Sequence, residues 1–163
     1  MKKTYLACFT LLLLFSSHQA NAKSNDKAIV DAYIKQHAKQ QGGKEHKKNR
    51  FLASGDINHD GTADLVVNYS LEGAGGSNGF DQYLAVFSRL KKTIKPITQI
   101  RVGGELERHV SAVAIKNNYI ELATLSHDEN DARCCPSISG KTYYLLSNGE
   151  LQEHKTPPAN DKK

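Results

Sequence analysis

The β-rich stretch at residues 51–71, FLASGDINHDGTADLVVNYSL, decides the architecture of the chain. Its two ends are rich in the apolar and β-branched residues that favour strands, and they flank a polar segment that contains Asn58, Asp60 and Gly61. A polar, glycine-containing segment between two such runs is typical of a turn between antiparallel strands. This stretch therefore predicts two neighbouring strands joined by an acidic loop.

The strand pattern continues from here to the carboxyl-terminal end. Asn117-Asn118 and Ser147-Asn148-Gly149 separate apolar runs at the spacing of β-hairpins. Every second residue is apolar at Val110, Ala112 and Ala114, and again at Ile120 and Leu122, which predicts one buried and one exposed face. The expected strands are residues 50–55, 64–71, 82–90, 97–102, 109–116, 119–125, 141–146 and 150–153.

One helix is predicted before the β region, at residues 25–41. Residues 24–26 offer N-cap side chains, and Gly42-Gly43 provides the stop. We expect residues 44–50 to be a solvated basic linker. The apolar positions that recur at helical spacing are Ile29, Val30, Tyr33, Ile34, His37 and Ala38.

The expected fold class is thus α+β with β dominant, an N-terminal helix followed by an antiparallel β-meander. Residues 23–155 are expected to form a single globular domain, with the β region at 50–154 and a flexible tail at 156–163.

The amino terminus has the pattern of a cleavable secretory signal peptide at residues 1–22. Two lysines precede an apolar run at 6–15, which is about half the ~20 residues that span a bilayer. Ala20-Asn21-Ala22 has the small-x-small pattern of a cleavage site. We therefore expect a periplasmic or secreted protein that begins at Lys23 and keeps no membrane anchor.

Charge is distributed unevenly along the chain. Residues 23–50 carry eight Lys and Arg against three acids, whereas residues 51–88 carry five acids and no Lys or Arg. This indicates that the acidic region receives positive charge from something bound. The small net charge and the absence of Arg-rich or aromatic stacking patterns argue against nucleic acid as a partner.

The acidic loop has the residue types of a calcium site. Calcium takes six to eight oxygen ligands, and Gly61 allows the tight turn that brings alternate residues inward. An EF-hand would need Glu at position 12, where this chain has Val67. A polar turn held by hydrogen bonds from its own side chains is the alternative. The candidate ligands are Asp56, Asn58, Asp60, the Thr62 carbonyl and Asp64.

The same residues resemble the DxDxDGxxD loop of FG-GAP and VCBS-type repeats, which occur in integrin β-propellers. The resemblance implies that these five positions bind calcium. Asn58 stands where the repeats have Asp, so we expect a weak, structural site. A single copy is present, so neither a complete propeller nor an adhesive function is expected.

The glycine-rich segment at residues 72–79 is expected to be a mobile hairpin loop. It precedes a strand rather than a helix, which argues against nucleotide binding. Such loops often contact partners when a rigid scaffold carries them. The candidate contact residues are Gly75, Gly76 and Asn78.

Cys134 and Cys135 form an adjacent pair with three possible roles. They can lock a loop as a disulfide, exchange thiols, or bind a soft metal together with His127. The acidic loop, the glycine-rich loop and the Cys-Cys-Pro-Ser motif together resemble a family of exported bacterial proteins. That resemblance implies no particular activity.

These features favour an exported, non-enzymatic binding module with a structural calcium loop. Its partner would be an unknown protein or a cell-envelope component. The alternatives are an inhibitor or immunity-type protein against an envelope hydrolase, and a thiol-redox protein. No G-x-S-x-G or H-E-x-x-H motif indicates an enzyme.

Overall fold

The computed structural model describes residues 16–76 and 78–159, with side chains from residue 25 onward. This part is mostly antiparallel β-sheet with one N-terminal helix, which confirms the expected α+β class. Short 3₁₀ turns lie at Lys47–Asn49 and Ala74–Gly76. The main elements are α1 (Ser16–Gln41), β1 (Lys44–Glu45), β2 (Phe51–Gly55), β3 (Asp64–Glu72), β4 (Phe80–Leu90), β5 (Thr93–Gly104), β6 (Arg108–Lys116), β7 (Tyr119–Ser126), β8 (Ile138–Ser147) and β9 (Glu150–His154).

The strands form two antiparallel sheets. The first has the order β1-β3-β4-β5, and β2 also pairs with β3. β1 pairs with the end of β3 and β2 with its beginning, so the two short strands lie one after the other along one edge of β3. The second sheet is a meander in the order β6-β7-β8-β9. All eight expected strands are present, and they are divided between the two sheets.

The described part has three layers, with the first sheet in the middle. Val30 and Ile34 of α1 pack on one face of that sheet against Val67 and Tyr69 of β3. The other face packs against the second sheet, in a core that contains the following residues: Ile57, Val66, Leu84, Val86, Val102, Val110, Ile120, Leu122 and Tyr144. β3 is therefore buried on both faces, which explains its nearly continuous apolar sequence.

The described part of the helix already includes Ser16, so residues 24–26 lie inside the helix and the N-cap expected there is wrong. The Asp26 carboxylate instead pairs with the Arg89 guanidinium at 2.6 Å. The predicted stop is confirmed, because Gly42 has φ +67° and the Gly43 N–H donates to the Ala38 carbonyl at 2.9 Å. No described helix has the length and apolar character required to cross a bilayer.

Residues 44–50 are not a solvated linker. Lys44 and Glu45 form β1, and the Arg50 guanidinium bonds both oxygens of the Glu45 carboxylate at 2.7 and 2.8 Å. Arg50 also reaches the Asp31 carboxylate on α1 at 2.5 Å. The segment is ordered because one largely buried arginine joins the helix to the edge of the sheet.

The alternation expected in β6 fails at a β-bulge. Val110 pairs with Thr124 and Ala112 pairs with Ala123, so Ser111 is an extra residue that has no register partner on β7, although its hydroxyl donates to the Ala123 carbonyl at 3.3 Å. The extra residue turns each later side chain of β6 to the opposite face of the sheet. Val113 and Ile115, rather than Ala112 and Ala114, therefore join Val110 against the second core. The alternation expected at Ile120 and Leu122 of β7 is confirmed, since both are buried.

The chain passes from the first sheet to the second between β5 and β6. Gly103 lies against the Arg108 carbonyl, where any Cβ would collide with backbone. The Arg108 guanidinium donates to the Val102 carbonyl at 2.5 Å and to the Tyr144 hydroxyl at 2.6 Å. It also pairs with Glu153 on β9 and lowers the pKa of that carboxyl to about 2. This arginine therefore holds the two sheets together at the crossing.

A closed ring of three hydrogen bonds lies between α1 and the first sheet. Tyr69 donates its hydroxyl proton to Gln99 Oε1 at 2.5 Å, so Tyr69 Oη must accept from His37 Nδ1 at 2.9 Å. Gln99 Nε2 then donates to His37 Nε2 at 3.0 Å. Because every donor has an acceptor only when His37 is neutral, the ring has no place for a second imidazole proton. Burial also lowers the pKa of His37.

His37→Gln is predicted to lower the free energy of unfolding by about 1–3 kcal/mol at pH 8, because it breaks a buried ring. Because the pKa of His37 is lower in the folded chain, the unfolded chain binds the His37 proton at a higher pH than the folded chain does. His37 therefore makes its full contribution to the free energy of unfolding above pH ~6.5. Below that value the contribution declines by at most ~1.4 kcal/mol per pH unit.

Urea denaturation from pH 8 to pH 5 measures this. The difference in the free energy of unfolding between wild type and His37→Gln should become smaller as the pH is lowered. A constant gap for His37→Gln would contradict the neutral ring.

Candidate functional site

The acidic loop at residues 56–63 connects β2 to β3. Ile57 is 2% exposed and lies in the core between the sheets, so it anchors the loop. His59 and Gly61 both have positive φ, at +63° and +80°, which lets the chain reverse within a few residues. The loop is thus a tight turn on a rigid hairpin.

Asp64, at the start of β3, is fully buried and joins three parts of the sheet. One carboxylate oxygen accepts from the Ile57 N–H at 3.3 Å, and the other accepts from the Arg89 N–H of β4 at 3.1 Å. The Asp64 carbonyl accepts from the Ser54 hydroxyl at 2.9 Å. This predicted calcium ligand is therefore also a structural carboxylate.

The middle of the loop is held by hydrogen bonds from its own side chains. Asn58 Oδ1 accepts from the Asp60 N–H at 3.0 Å, and Asp60 Oδ1 accepts from the Thr62 N–H at 2.8 Å. The bonds from Thr62, and then the bond from Asn58, lower the pKa of Asp60. These are the bonds that the polar-turn alternative expects.

Asp56 differs from its neighbours in the loop. One of its carboxylate oxygens accepts from the Gly61 N–H at 3.0 Å. The other, Oδ1, is buried and has no hydrogen-bond partner within the described residues. Nowhere in that part of the chain do three His, Cys, Asp or Glu side chains converge as a metal-binding group.

Arg89 is a residue of this site that the sequence did not reveal. It is the first cation after the window at residues 51–88, and its guanidinium donates to the Ala63 carbonyl at 3.0 Å while it pairs with Asp26. Positive charge therefore reaches the end of the acidic loop from within the chain. The expectation that the loop carboxylates themselves receive positive charge from something bound stays a prediction.

The glycine-rich loop lies at the far end of β3 from the acidic loop. This strand is nine residues long, which places the loops about 25–30 Å apart. The loop is closed by the Gly73 N–H, which donates to the Gly79 carbonyl at 3.0 Å. Its tip is exposed at all three predicted contact residues, Gly75, Gly76 and Asn78.

Glu105, in the turn between β5 and β6, joins this loop to the cysteine loop. Its N–H donates to the Phe80 carbonyl at 3.1 Å, and its side chain lies so close to Gly79 that a Cβ there would collide with it. Its carboxylate bonds Arg133 twice, each time at 3.0 Å. Its carbonyl accepts from the imidazoles of His109 and His127, at 3.1 and 3.3 Å. Three loops therefore meet at this residue.

Cys134 and Cys135 form a disulfide on the surface of the third loop. Asp131 organises this loop by accepting from the Asp128 and Ser137 N–H groups at 2.8 Å, and these bonds lower its pKa. Because the two sulfurs are bonded to each other and His127 bonds Glu105, the soft-metal alternative has no free thiolates. The same surface exposes Leu106, which is 67% exposed.

A comparison with protein-family models identifies the central part of the chain. An FG-GAP repeat is found at residues 49–87. The FG-GAP repeat spans β2, the acidic loop, β3, the glycine-rich loop and most of β4, which is less than half of the chain. No curated protein and no solved structure matches the chain. The repeat thus supports the FG-GAP part of the predicted resemblance.

Asp64→Asn is predicted to lower the free energy of unfolding by about 1–3 kcal/mol in buffer with a calcium chelator. The amide nitrogen would face a backbone N–H donor in place of an acceptor. Asp60→Asn, in the exposed part of the loop, should cost less than about 0.5 kcal/mol under the same conditions. Urea denaturation measures both. Equal losses would contradict a structural role that is specific to Asp64.

Proposed function

We propose that this chain is an exported, non-enzymatic binding module. The acidic loop holds a structural calcium ion, and the three loops that meet at Glu105 contact a partner protein or cell-envelope component. The observation that carries the proposal is the FG-GAP repeat, because its match includes both the acidic loop and the glycine-rich loop.

The acidic loop fits calcium in its donor set. The side chains of Asp56, Asn58, Asp60 and Asp64 and the carbonyl of Thr62 offer hard oxygen ligands, as calcium requires. The buried Asp56 Oδ1, which no donor satisfies, is the strongest support, because a cation would offset the cost of burying it. Asn58 Oδ1 accepts the Asp60 N–H and keeps a second lone pair for an ion. Thr62 donates both its N–H and its hydroxyl to Asp60 Oδ1, so the other oxygen, Oδ2, which accepts from Asn58 Nδ2, is the one that keeps a lone pair.

The ion would stabilise the β2–β3 hairpin rather than sense a signal. An asparagine at position 58 leaves three carboxylates, and extracellular sites of this kind bind with dissociation constants of about 10⁻⁴–10⁻³ M. A weak site suffices where free calcium is plentiful, as it is outside cells.

Calcium titration of the chain that begins at Lys23 tests this part. Calorimetry should give a Kd near 10⁻⁴–10⁻³ M. With a Kd of ~10⁻⁴ M, 10 mM calcium should raise the free energy of unfolding by about 2.7 kcal/mol. Asp56→Asn should abolish both effects, because it removes the carboxylate whose Oδ1 is unsatisfied.

Asn58→Asp should lower the Kd roughly fivefold or more, because it adds a carboxylate beside the ion. Glu129→Gln, which removes an exposed carboxylate from another loop, is the matched control and should change neither quantity. The calcium assignment is contradicted if 10 mM calcium does not stabilise the wild type. It is also contradicted if Glu129→Gln reduces calcium binding and stabilisation as much as Asp56→Asn does.

The partner surface is supported by its exposure and its rigidity. Gly75, Gly76 and Asn78 are exposed at the tip of one loop, and Leu106 extends from the next. The bonds of Glu105 hold these loops in place, so a partner would meet a surface that is already ordered.

A photo-crosslinking side chain placed at Asn78 should link the exported protein to its partner in envelope extract. The same group at Lys92, in the turn at the opposite end of β4, is the control and should give no specific product. Equal yields from the two positions would argue against a loop surface. A captured hydrolase whose activity falls when the protein is added would select the inhibitor alternative.

The exposed disulfide favours thiol–disulfide exchange as a second candidate function. A dithiol donor would reduce the Cys134–Cys135 bond to two thiols and would itself become a disulfide. Both cysteines are exposed, so a donor can reach them.

A further inference from the structure

A groove of about 740 Å³ lies between α1 and β1 and carries a concentration of lysines. We call it the lysine groove. Its apolar walls include Ala32 and Ala38 of the helix. The charged side chains that line it are Asp31, Lys35, Lys39, Lys44, Glu45 and Lys47.

The two acids in the lysine groove are already neutralised from within the chain. Arg50 bonds both oxygens of Glu45 and also bonds Asp31, which in addition pairs with Lys27 at 2.5 Å. Within the described residues, by contrast, none of the four lysines of the groove has a carboxylate partner. The groove therefore presents four uncompensated ammonium groups, and the ligand that complements them is a polyanion.

One exposed apolar side chain lies farther along the same edge of the first sheet as this positive surface. Leu52 is 53% exposed, and it pairs across the strands with Val67, whose side chain packs beneath the helix. Paired residues point to the same face of a sheet, so Leu52 lies on the helix-covered face, at the edge where Arg50 also lies. Charge and exposed apolar surface thus occur together on one side of the molecule.

We propose that the lysine groove and Leu52 form a docking surface for an anionic phospholipid bilayer. Lysine is a flexible point charge that suits mobile headgroup phosphates, whereas fixed recognition of one phosphate commonly uses the planar fork of arginine. A bilayer also offers an apolar layer beneath its headgroups, which Leu52 can enter. The inference does not depend on calcium or on the loops that meet at Glu105.

Cosedimentation with vesicles tests the proposal. The chain should begin at Lys23, so that the apolar run at 6–15 does not itself bind lipid; every residue of both cores lies within residues 29–151 and is kept. Binding is expected to vesicles of 30% phosphatidylglycerol in phosphatidylcholine at low salt. It should weaken strongly in 0.5 M NaCl and be absent with phosphatidylcholine alone.

Two double variants with the same change in net charge locate the surface. Each lysine near the membrane raises the affinity for vesicles roughly fivefold. The double variant Lys35→Gln with Lys39→Gln should therefore lower that affinity roughly 25-fold. Lys92→Gln with Lys95→Gln, two exposed lysines at the β4–β5 turn and the start of β5, should change it less than about twofold. Glutamine has nearly the same helix propensity as lysine, so α1 is retained.

A final comparison separates a bilayer from free phosphate. Leu52→Ser should weaken vesicle binding several-fold and leave the affinity for inositol hexakisphosphate unchanged. The proposal is overturned if the two double variants bind equally, if no binding to phosphatidylglycerol vesicles occurs at low salt, if Leu52→Ser has no effect, or if poly-glutamate binds the groove more tightly than vesicles do.

Discussion

The fold depends on the burial of β3 on both faces. Val66 packs towards the second sheet, and Val67 and Tyr69 pack towards the helix, so one strand supplies side chains to both cores. Its backbone groups have no access to water and must bond to neighbouring strands, β4 on one side and β1 with β2 on the other. The helix and the second sheet therefore need no direct contact with each other, since each packs against this central strand.

The same strand fixes the two functional ends of the molecule. Asp64 at its start carries the end of the acidic loop, and Glu72 at its end leads into the glycine-rich loop. A strand that is paired on both sides bends little, so the distance between the two loops is set by the length of β3. This explains how a single FG-GAP repeat can contain both loops while they remain far apart.

The strands were predictable because their signals are local. Alternation, β-branched residues and glycine or asparagine at turns act within a few residues, and every expected strand exists. The errors occurred where distant residues decide the structure. Arg50 orders residues 44–50 by bonding to Asp31 on α1. No residue near Arg50 in the sequence indicates that contact. The bulge at Ser111 reverses the facing of β6, and its register depends on β7.

The candidate sites divide in the same way. The acidic loop was visible because its residues are contiguous, and the cysteine pair was visible because adjacent cysteines are unusual. The roles of Arg89 and Glu105 were not visible, because each acts through backbone and side-chain contacts with segments more than twenty residues away. Charged residues of this kind look like ordinary surface residues until the strands are placed beside each other.

The division of one sheet edge between β1 and β2 also bears on aggregation. An uninterrupted edge along β3 would leave a row of unpaired N–H and C=O groups that another chain could extend. Here the edge is covered by two short strands, and a 3₁₀ turn that contains two lysines lies between them. A foreign strand would meet a kinked backbone and positive charge instead of a straight template. The interrupted edge therefore protects the protein against strand-to-strand polymerisation.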